Sequence, residues 1–171
     1  GVKYLYTVRG FNFVGGGSYN TDGVAITHLD TPEATAKNTS KGIYLKWTKI
    51  AGAEKYKIYR QTNGSTEWKL VGTTKKNTFT DKTAKAGVTY RYTVKAYYGS
   101  YVSAYNTNGT AIRRLTIPTL KSVTSAKSGI TFKWNKVTGA TGYIVYRKTG
   151  NGSWVKLATV TGNSKITYLD K

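Results

Sequence analysis

The stretch Ile43-Tyr-Leu-Lys-Trp47-Thr-Lys-Ile-Ala-Gly-Ala-Glu-Lys-Tyr56-Lys-Ile-Tyr-Arg60 returns downstream as Ile130-Thr-Phe-Lys-Trp134-Asn-Lys-Val-Thr-Gly-Ala-Thr-Gly-Tyr143-Ile-Val-Tyr-Arg147. Each copy holds two runs in which apolar and polar residues alternate. Alternation of period two sends every other side chain to one face, so each copy predicts two half-buried strands joined at a Gly-Ala pair. Trp47 and Trp134 sit in the first run. Tyr56 and Tyr143 open the second.

The repetition extends outward from there. Residues 1–9 read Gly-Val-Lys-Tyr4-Leu-Tyr-Thr-Val-Arg, and residues 87–95 read Gly-Val-Thr-Tyr90-Arg-Tyr-Thr-Val-Lys, an offset of 86 that also relates Pro32 to Pro118. With one inserted residue, Trp47 relates to Trp134 at 87, and the drift reaches 89 at Asp81 and Asp170. A unit of 86–89 residues is therefore predicted, out of phase with the chain. Residues 1–29 read as the last strand pair of one unit, 30–115 as a whole unit, and 116–171 as the first strands of another.

Within 30–115 the alternation and turn residues predict strands at 33–38, 43–49, 55–61, 67–73, 77–80, 88–98 and 101–113, the last interrupted near Asn108-Gly109. Asn63-Gly64 and Asn151-Gly152 mark hairpin turns in which both residues take positive φ. Gly15-Gly16-Gly17 marks another hairpin tip. The expectation is an all-β fold of tandem seven-stranded antiparallel β-sandwiches, with no helical periodicity anywhere.

Composition narrows the function. Hydrophobic residues make up 39% of the 171 and aromatics 13%, with 15 tyrosines, enough to build cores. There is no cysteine, which removes disulfides, thiolate nucleophiles and zinc–thiolate sites together. No apolar run is long enough to span a membrane or to serve as a signal core, so no membrane insertion is expected, and the chain reads as a piece of something larger. The net charge of +20, from 27 Lys+Arg against 7 Asp+Glu, favours polyanionic partners.

Chemistry for catalysis is missing from the pattern. The single histidine, His28, has no thiol partner and stands beside the boundary Pro32. Asp22, Asp30, Glu33, Glu54, Glu67, Asp81 and Asp170 are the only acids, and most fall at turns or strand ends, where a carboxylate caps a turn. No phosphate loop, metal-ligand spacing or cofactor motif is present. Asn-x-Ser/Thr triplets occur at Asn38, Asn63, Asn108 and Asn151, and two of them, Asn63 and Asn151, are the hairpin Asn-Gly turns, which turn chemistry explains. A non-enzymatic protein with no catalytic, metal or cofactor-binding residue is predicted.

Trp47, Tyr56 and Gly87-Val-Thr-Tyr90-Arg-Tyr92-Thr-Val94 resemble a fibronectin type III repeat. More narrowly, the chain is similar to the fibronectin-like repeats of Gram-positive surface and secreted proteins. The resemblance implies that Tyr90, and Tyr4 in the partial copy, make a tyrosine corner whose hydroxyl ties the strand to the loop before it. It also implies that Trp47, Trp134, Tyr56 and Tyr143 are structural. The proline that often precedes the corner is absent from Thr83-Ala84-Lys85-Ala86-Gly87, and the integrin-type Arg-Gly-Asp does not occur. An extracellular or cell-surface location follows from the resemblance, as does a role as spacer, adhesion or assembly module. The alternatives are a binding module for anionic wall polymer or polysaccharide and an accessory domain of a secreted carbohydrate-active or wall-hydrolysing enzyme.

Two places are candidates for interaction. In the strands at 55–60 and 88–98, Tyr56, Ile58, Tyr90, Tyr92, Val94 and Ala96 point inward. Lys55, Lys57, Tyr59, Arg91, Lys95 and Tyr97 point outward together with Thr89 and Thr93, and are the candidate ligand face. Cations interleaved with tyrosines suit phosphate-bearing or acidic glycans. Gly142, Ile144 and Tyr146 replace the first three in the other copy. Trp68 and Trp154, beside the hairpins, read as the exposed tryptophans, which either cap the sandwich edge or serve as ligand platforms. The second place is the pair of ends. Residues 1–29 and 116–171 together amount to one unit, so head-to-tail completion between chains is expected, the alternative being an arbitrary cut through a longer repeat array; an anionic polymer is a further candidate partner. Nucleic-acid binding rests on charge alone and is the weaker expectation.

Overall fold

The computed structural model describes residues 1–171, all in strands, turns and loops without a helix. Four short strands come first: β1 (Val2–Tyr6), β2 (Arg9–Phe11), β3 (Gly16–Tyr19) and β4 (Val24–His28). The central part carries β5 (Ala34–Thr39), β6 (Gly42–Trp47), β7 (Lys55–Thr62), β8 (Lys69–Thr74), β9 (Thr78–Asp81), β10 (Thr89–Tyr98), β11 (Tyr101–Val102) and β12 (Thr110–Arg113). The last five are β13 (Leu120–Ala126), β14 (Gly129–Trp134), β15 (Gly142–Arg147), β16 (Val155–Thr161) and β17 (Thr167–Asp170).

In the central part β5-β6-β9 form one antiparallel sheet. The other runs β8-β7-β10, with β11 and β12 taking turns beside the far edge of β10. These three strands against five make a two-layer antiparallel β-sandwich. The alternation in β10 explains it directly: Tyr90, Tyr92, Val94 and Ala96 are all buried, facing Ile43, Leu45 and Trp47 from β6. Removing one such large side chain from water stabilises the fold by about 1.5–3 kcal/mol. The Trp47 and Tyr56 rings meet edge to face at 5.3 Å, and the Tyr56 hydroxyl accepts the Ile50 N–H at 2.8 Å.

The last five strands reuse these contacts. β13-β14-β17 form a sheet, and β15-β16 face it. Trp134 meets Tyr143 edge to face at 5.1 Å, and the Tyr143 hydroxyl accepts the Val137 N–H at 3.0 Å. β14 pairs β17 with Ile130 opposite Asp170, as β6 pairs β9 with Ile43 opposite Asp81. Even the β-bulge returns, between Ile58 and Tyr59 in β7 and between Val145 and Tyr146 in β15.

Three turns differ from expectation. No residue other than glycine has positive φ, so Asn63 is not left-handed; Gly64 alone is, at +85°. Residues 63–68 give the connection from β7 to β8 room, and the tight two-residue hairpin that would force Asn63 into that region is not formed. In the counterpart loop the left-handed residue is Gly150 rather than Gly152. Near the N-terminus the hairpin tip is Asn12–Gly15, closed by reciprocal backbone hydrogen bonds, while Gly16 and Gly17 belong to β3. The Asn12 side chain accepts the N–H groups of Val14 and Gly15, which draws the turn back towards Asn12.

Candidate functional site

The outer face of β7 and β10 brings the six expected residues together. Lys57 stands directly opposite Lys95, Lys55 opposite Tyr97, and Tyr59 opposite Thr93. Like charges placed opposite one another in a sheet repel. Here the rings take up the charge: the Lys57 ammonium lies 4.7 Å from the Tyr97 ring centre, and Lys95 lies 5.5 Å from Tyr59 and 4.3 Å from Tyr105. The Tyr59 and Tyr97 hydroxyls are 3.3 Å apart. Burial, helped by that hydrogen bond, pushes the Tyr59 phenol up from its ordinary value.

The face is less open than an alternating strand implies. Thr93 points outward yet is only 1% exposed. A Cβ on Gly109 would meet the Trp68 ring and the Arg91 Cβ, which places Trp68 over the Arg91 end of the row, while Tyr105 covers the Lys95 end. Trp68 is thus half-buried against the sheet, whereas its counterpart Trp154 is 69% exposed. Arg91 donates to the Asn108 carbonyl at 3.2 Å. Tyr105 was not legible as part of this face, because it comes from the irregular segment between β11 and β12. On β15 the counterparts Ile144 and Tyr146 are exposed apolar residues, and Gly142 carries no side chain.

Beneath the inner face lies a polar node that the alternation did not reveal. The Asp81 side chain is only 2% exposed. Its Oδ2 accepts from Arg60 and from the Tyr92 hydroxyl, each at 2.7 Å. Its Oδ1 accepts from the Thr83 N–H at 2.8 Å and the Thr83 hydroxyl at 2.7 Å. Burial alone would push the Asp81 carboxyl up; the donors from Thr83, Tyr92 and Arg60 outweigh it and hold the carboxyl below its usual range. Burial, together with donation to Asp81, pushes the Tyr92 phenol far up. Asp81 therefore joins three strands, β9, β7 and β10, across both sheets. The clue in the sequence was the recurrence of Asp81 as Asp170 and of Arg60 as Arg147.

Tyr90 lies beside this node. Its hydroxyl accepts the Lys85 N–H at 3.0 Å, and the Arg60 guanidinium lies 4.8 Å from its ring centre. Tyr4 is exposed and packs near Tyr6, their ring centres 6.1 Å apart. His28 ends β4 with its ring open to solvent, 3.5 Å from the exposed Asp30. No group of three or more His, Cys, Asp or Glu side chains has the geometry to hold a metal ion. No helix is long and apolar enough to cross a membrane.

The second candidate place is open. Between β15 and the β13-β14 sheet lies a cleft of about 390 Å³, lined by Leu120, Phe132, Trp134, Tyr143 and Val145 among others. Its walls include β15 and no residue of β16, so it lies on the side of β15 away from β16. In the central sandwich that position beside β7 is filled by β10. The β1–β4 pair also exposes apolar side chains: Tyr4, Leu5, Tyr6, Val24 and Ile26 are all exposed.

No protein family and no curated protein sequence matches the chain. Among the solved structures similar to it are two multidomain chains. One is "Crystal structure of chicken CNTN1 FN1-FN3 domains", at 15% identity and a TM-score of 0.43, over 97% of this chain and 64% of that one. The other is "Titin kinase and its flanking domains", at 12% identity and a TM-score of 0.43, over 64% of this chain and 27% of that one. The chain thus spans less than two thirds of the length of either.

Proposed function

We propose that this protein is a non-catalytic, extracellular structural module that works as spacer and adhesion unit and assembles head to tail with further copies of itself. One observation carries the reading. The apolar cleft beside β15 and the exposed apolar pair β1–β4 are complementary within one sequence. Burying both removes open sheet edges that would otherwise invite indiscriminate pairing. The Gram-positive surface setting rests on the resemblance in the repeat pattern. The absence from the sequence of nucleophile, metal and cofactor patterns supports a role without catalysis.

The test is the solution mass of the 171-residue chain over a concentration series at low and high salt. Assembly through strands and apolar contacts gives a mass that rises with concentration and survives high salt, since such contacts are not screened. A monomer at every concentration would overturn the reading.

A second reading, a grip on anionic wall polymer or polysaccharide, is favoured by one observation. Lys57 and Lys95 face each other with no acid between them, and ion pairs engage only Arg60, Lys69 and Arg147 among the 27 Lys+Arg. Retention on a polyphosphate matrix is expected at low salt. Charge reversal at Lys55, Lys57, Arg91 and Lys95 would lower it more than reversal of four lysines elsewhere. Equal losses from both sets would leave a diffuse charge effect and sink this face as a site.

A further inference from the structure

We propose that the outer face of β7 and β10 grips single phosphate groups of a flexible, phosphate-linked polymer without bases, through the Lys57 and Lys95 ammonium groups and the paired hydroxyls of Tyr59 and Tyr97. The proposal rests on the polymer reading above and names the group recognised and the atoms that recognise it.

The register builds the site. Lys57 on β7 stands directly opposite Lys95 on β10. Tyr59 is two residues to one side of this pair, opposite Thr93, and Tyr97 is two residues to the other, opposite Lys55. Their hydroxyls are nevertheless 3.3 Å apart, so the two rings lean together across the lysine pair. Each lysine lies against the ring of the other strand: Lys57 is 4.7 Å from the Tyr97 ring centre, and Lys95 is 5.5 Å from that of Tyr59. The result is a closed cross of two cations and two phenols. Both lysines are half-buried and neither is in an ion pair.

This cross has donors to spare. Each ammonium carries three N–H groups and accepts nothing. Of the two phenol hydroxyls, one donates to the other, and the proton of the acceptor is left unclaimed. Burial, with the hydrogen bond to Tyr97, pushes the Tyr59 phenol up, so it remains a donor at neutral pH. Beside it the Thr93 hydroxyl, on the same outward side, has no partner although the residue is only 1% exposed. Directly opposed residues in a sheet have Cβ atoms about 4.5–5.5 Å apart, so two ammonium groups can reach one anionic group between them. Such an anion relieves the repulsion of the opposed lysines, which the rings only soften.

The same features select the ligand. Donors converge here from both strands and from the phenol pair, and a tetrahedral phosphate offers acceptor oxygens in several directions, whereas a carboxylate offers two in one plane. Lysine serves phosphate as a point charge without requiring a planar partner. The faces of Tyr59, Tyr97 and Tyr105 are already taken by ammonium groups, which leaves no free ring for stacking sugars or nucleic-acid bases.

The test is calorimetric titration of the 171-residue chain with long-chain polyphosphate at low salt. Lys57→Gln and Lys95→Gln are each expected to weaken binding about tenfold. The double variant is expected to lose less than the product of the two, since both side chains serve one phosphate. Tyr59→Phe combined with Tyr97→Phe keeps the rings under the lysines and removes only the hydroxyls. It is expected to weaken binding about threefold without changing the slope of log affinity against log salt, because no charge is removed. Lys75→Gln with Lys76→Gln, on the exposed turn between β8 and β9, is the control and is expected to change affinity less than either single variant. Polygalacturonate, which carries carboxylates, is expected to bind at least tenfold more weakly than polyphosphate. Charge reversal at Lys55, Lys57, Arg91 and Lys95 that costs no more than reversal elsewhere overturns the polymer reading and this clamp with it. Equal affinity for polygalacturonate, or no effect of the paired Tyr→Phe change, overturns the clamp alone and leaves a general anion face. Tighter binding of single-stranded DNA, or inorganic phosphate binding as tightly as each phosphate of the polymer, overturns it in favour of a nucleic acid or a free ion.

Discussion

Asp81 is the residue on which the central sandwich turns, and its charge is what the fold uses. A carboxylate that far from solvent is tolerated because four donors surround it, one of them a guanidinium. Breaking a buried ion pair by removing one partner leaves the other uncompensated, so Asp81→Ala is expected to cost about 3–5 kcal/mol in urea unfolding followed by Trp fluorescence. Tyr92→Phe removes one of the four donors and is expected to cost about 1.5–3 kcal/mol in the same measurement. The carboxyl is held low in the folded protein, so its contribution is present above the unfolded-state value, about 3.9, and is lost as pH falls through the folded-state value. An acid titration of stability should therefore fall steeply below about pH 4, and Asp81→Asn should flatten that limb. The two aspartates were visible in the sequence as recurring strand-end acids. Their role was not, because alternation reports which face a residue takes and says nothing of a partner three strands away.

At the scale of elements, the strands were legible and the turns less so. The strand expected at 55–61 forms over Lys55–Thr62 and that expected at 88–98 over Thr89–Tyr98, since the inward apolar positions recur every second residue in both, although Thr93 on the outward side of β10 is buried as well. The expected 101–113 strand breaks into β11 and β12, with Asn106 accepting the N–H groups of Asn108 and Gly109 in the gap. Glycine carries different weight at different turns. Gly42 has φ +151°, and a Cβ there would collide with the Asp81 carbonyl; Gly129 stands against Asp170 in the same way. Gly64 has φ +85° with nothing near it. Gly42→Ala is thus expected to cost about 2 kcal/mol or more, whereas Gly64→Ala should cost only the left-handed strain of about 1–2 kcal/mol. Parallel urea curves would compare them. Equal costs would mean that the approach of Gly42 to Asp81 is not what holds the glycine there.

For the whole molecule, the decisive contrast is between the central sandwich with its large core and the strand groups on either side, which expose more apolar surface. Residues 30–115 bury a continuous core of eleven residues that includes Leu29 at its edge, while the core within 116–171 has five. The smaller core lies beside the open cleft, so the C-terminal strands are expected to exchange amide hydrogens faster than β6, β7 and β10 at low protein concentration. Assembly should slow that exchange as concentration rises, in β15 above all. Exchange in β15 that ignores concentration would place the contact elsewhere. The outer basic face behaves differently: its lysines already lie against Tyr59, Tyr97 and Tyr105, so a polyanion gains charge contacts there more readily than ring stacking.

The sequence by itself determined the all-β class, the strand positions, the inward rows of β7 and β10, and which residues recur at equivalent places. Those are local properties, written in periodicity two and in spacing. Only the tertiary structure decided that Asp81 joins Arg60 to Tyr92, that Thr93 is covered on an outward face, and that Trp68 is half-buried where Trp154 is free. Each depends on segments far apart in the chain arriving at one point, where burial and unpaired polar atoms set the outcome and neither is encoded within any one segment.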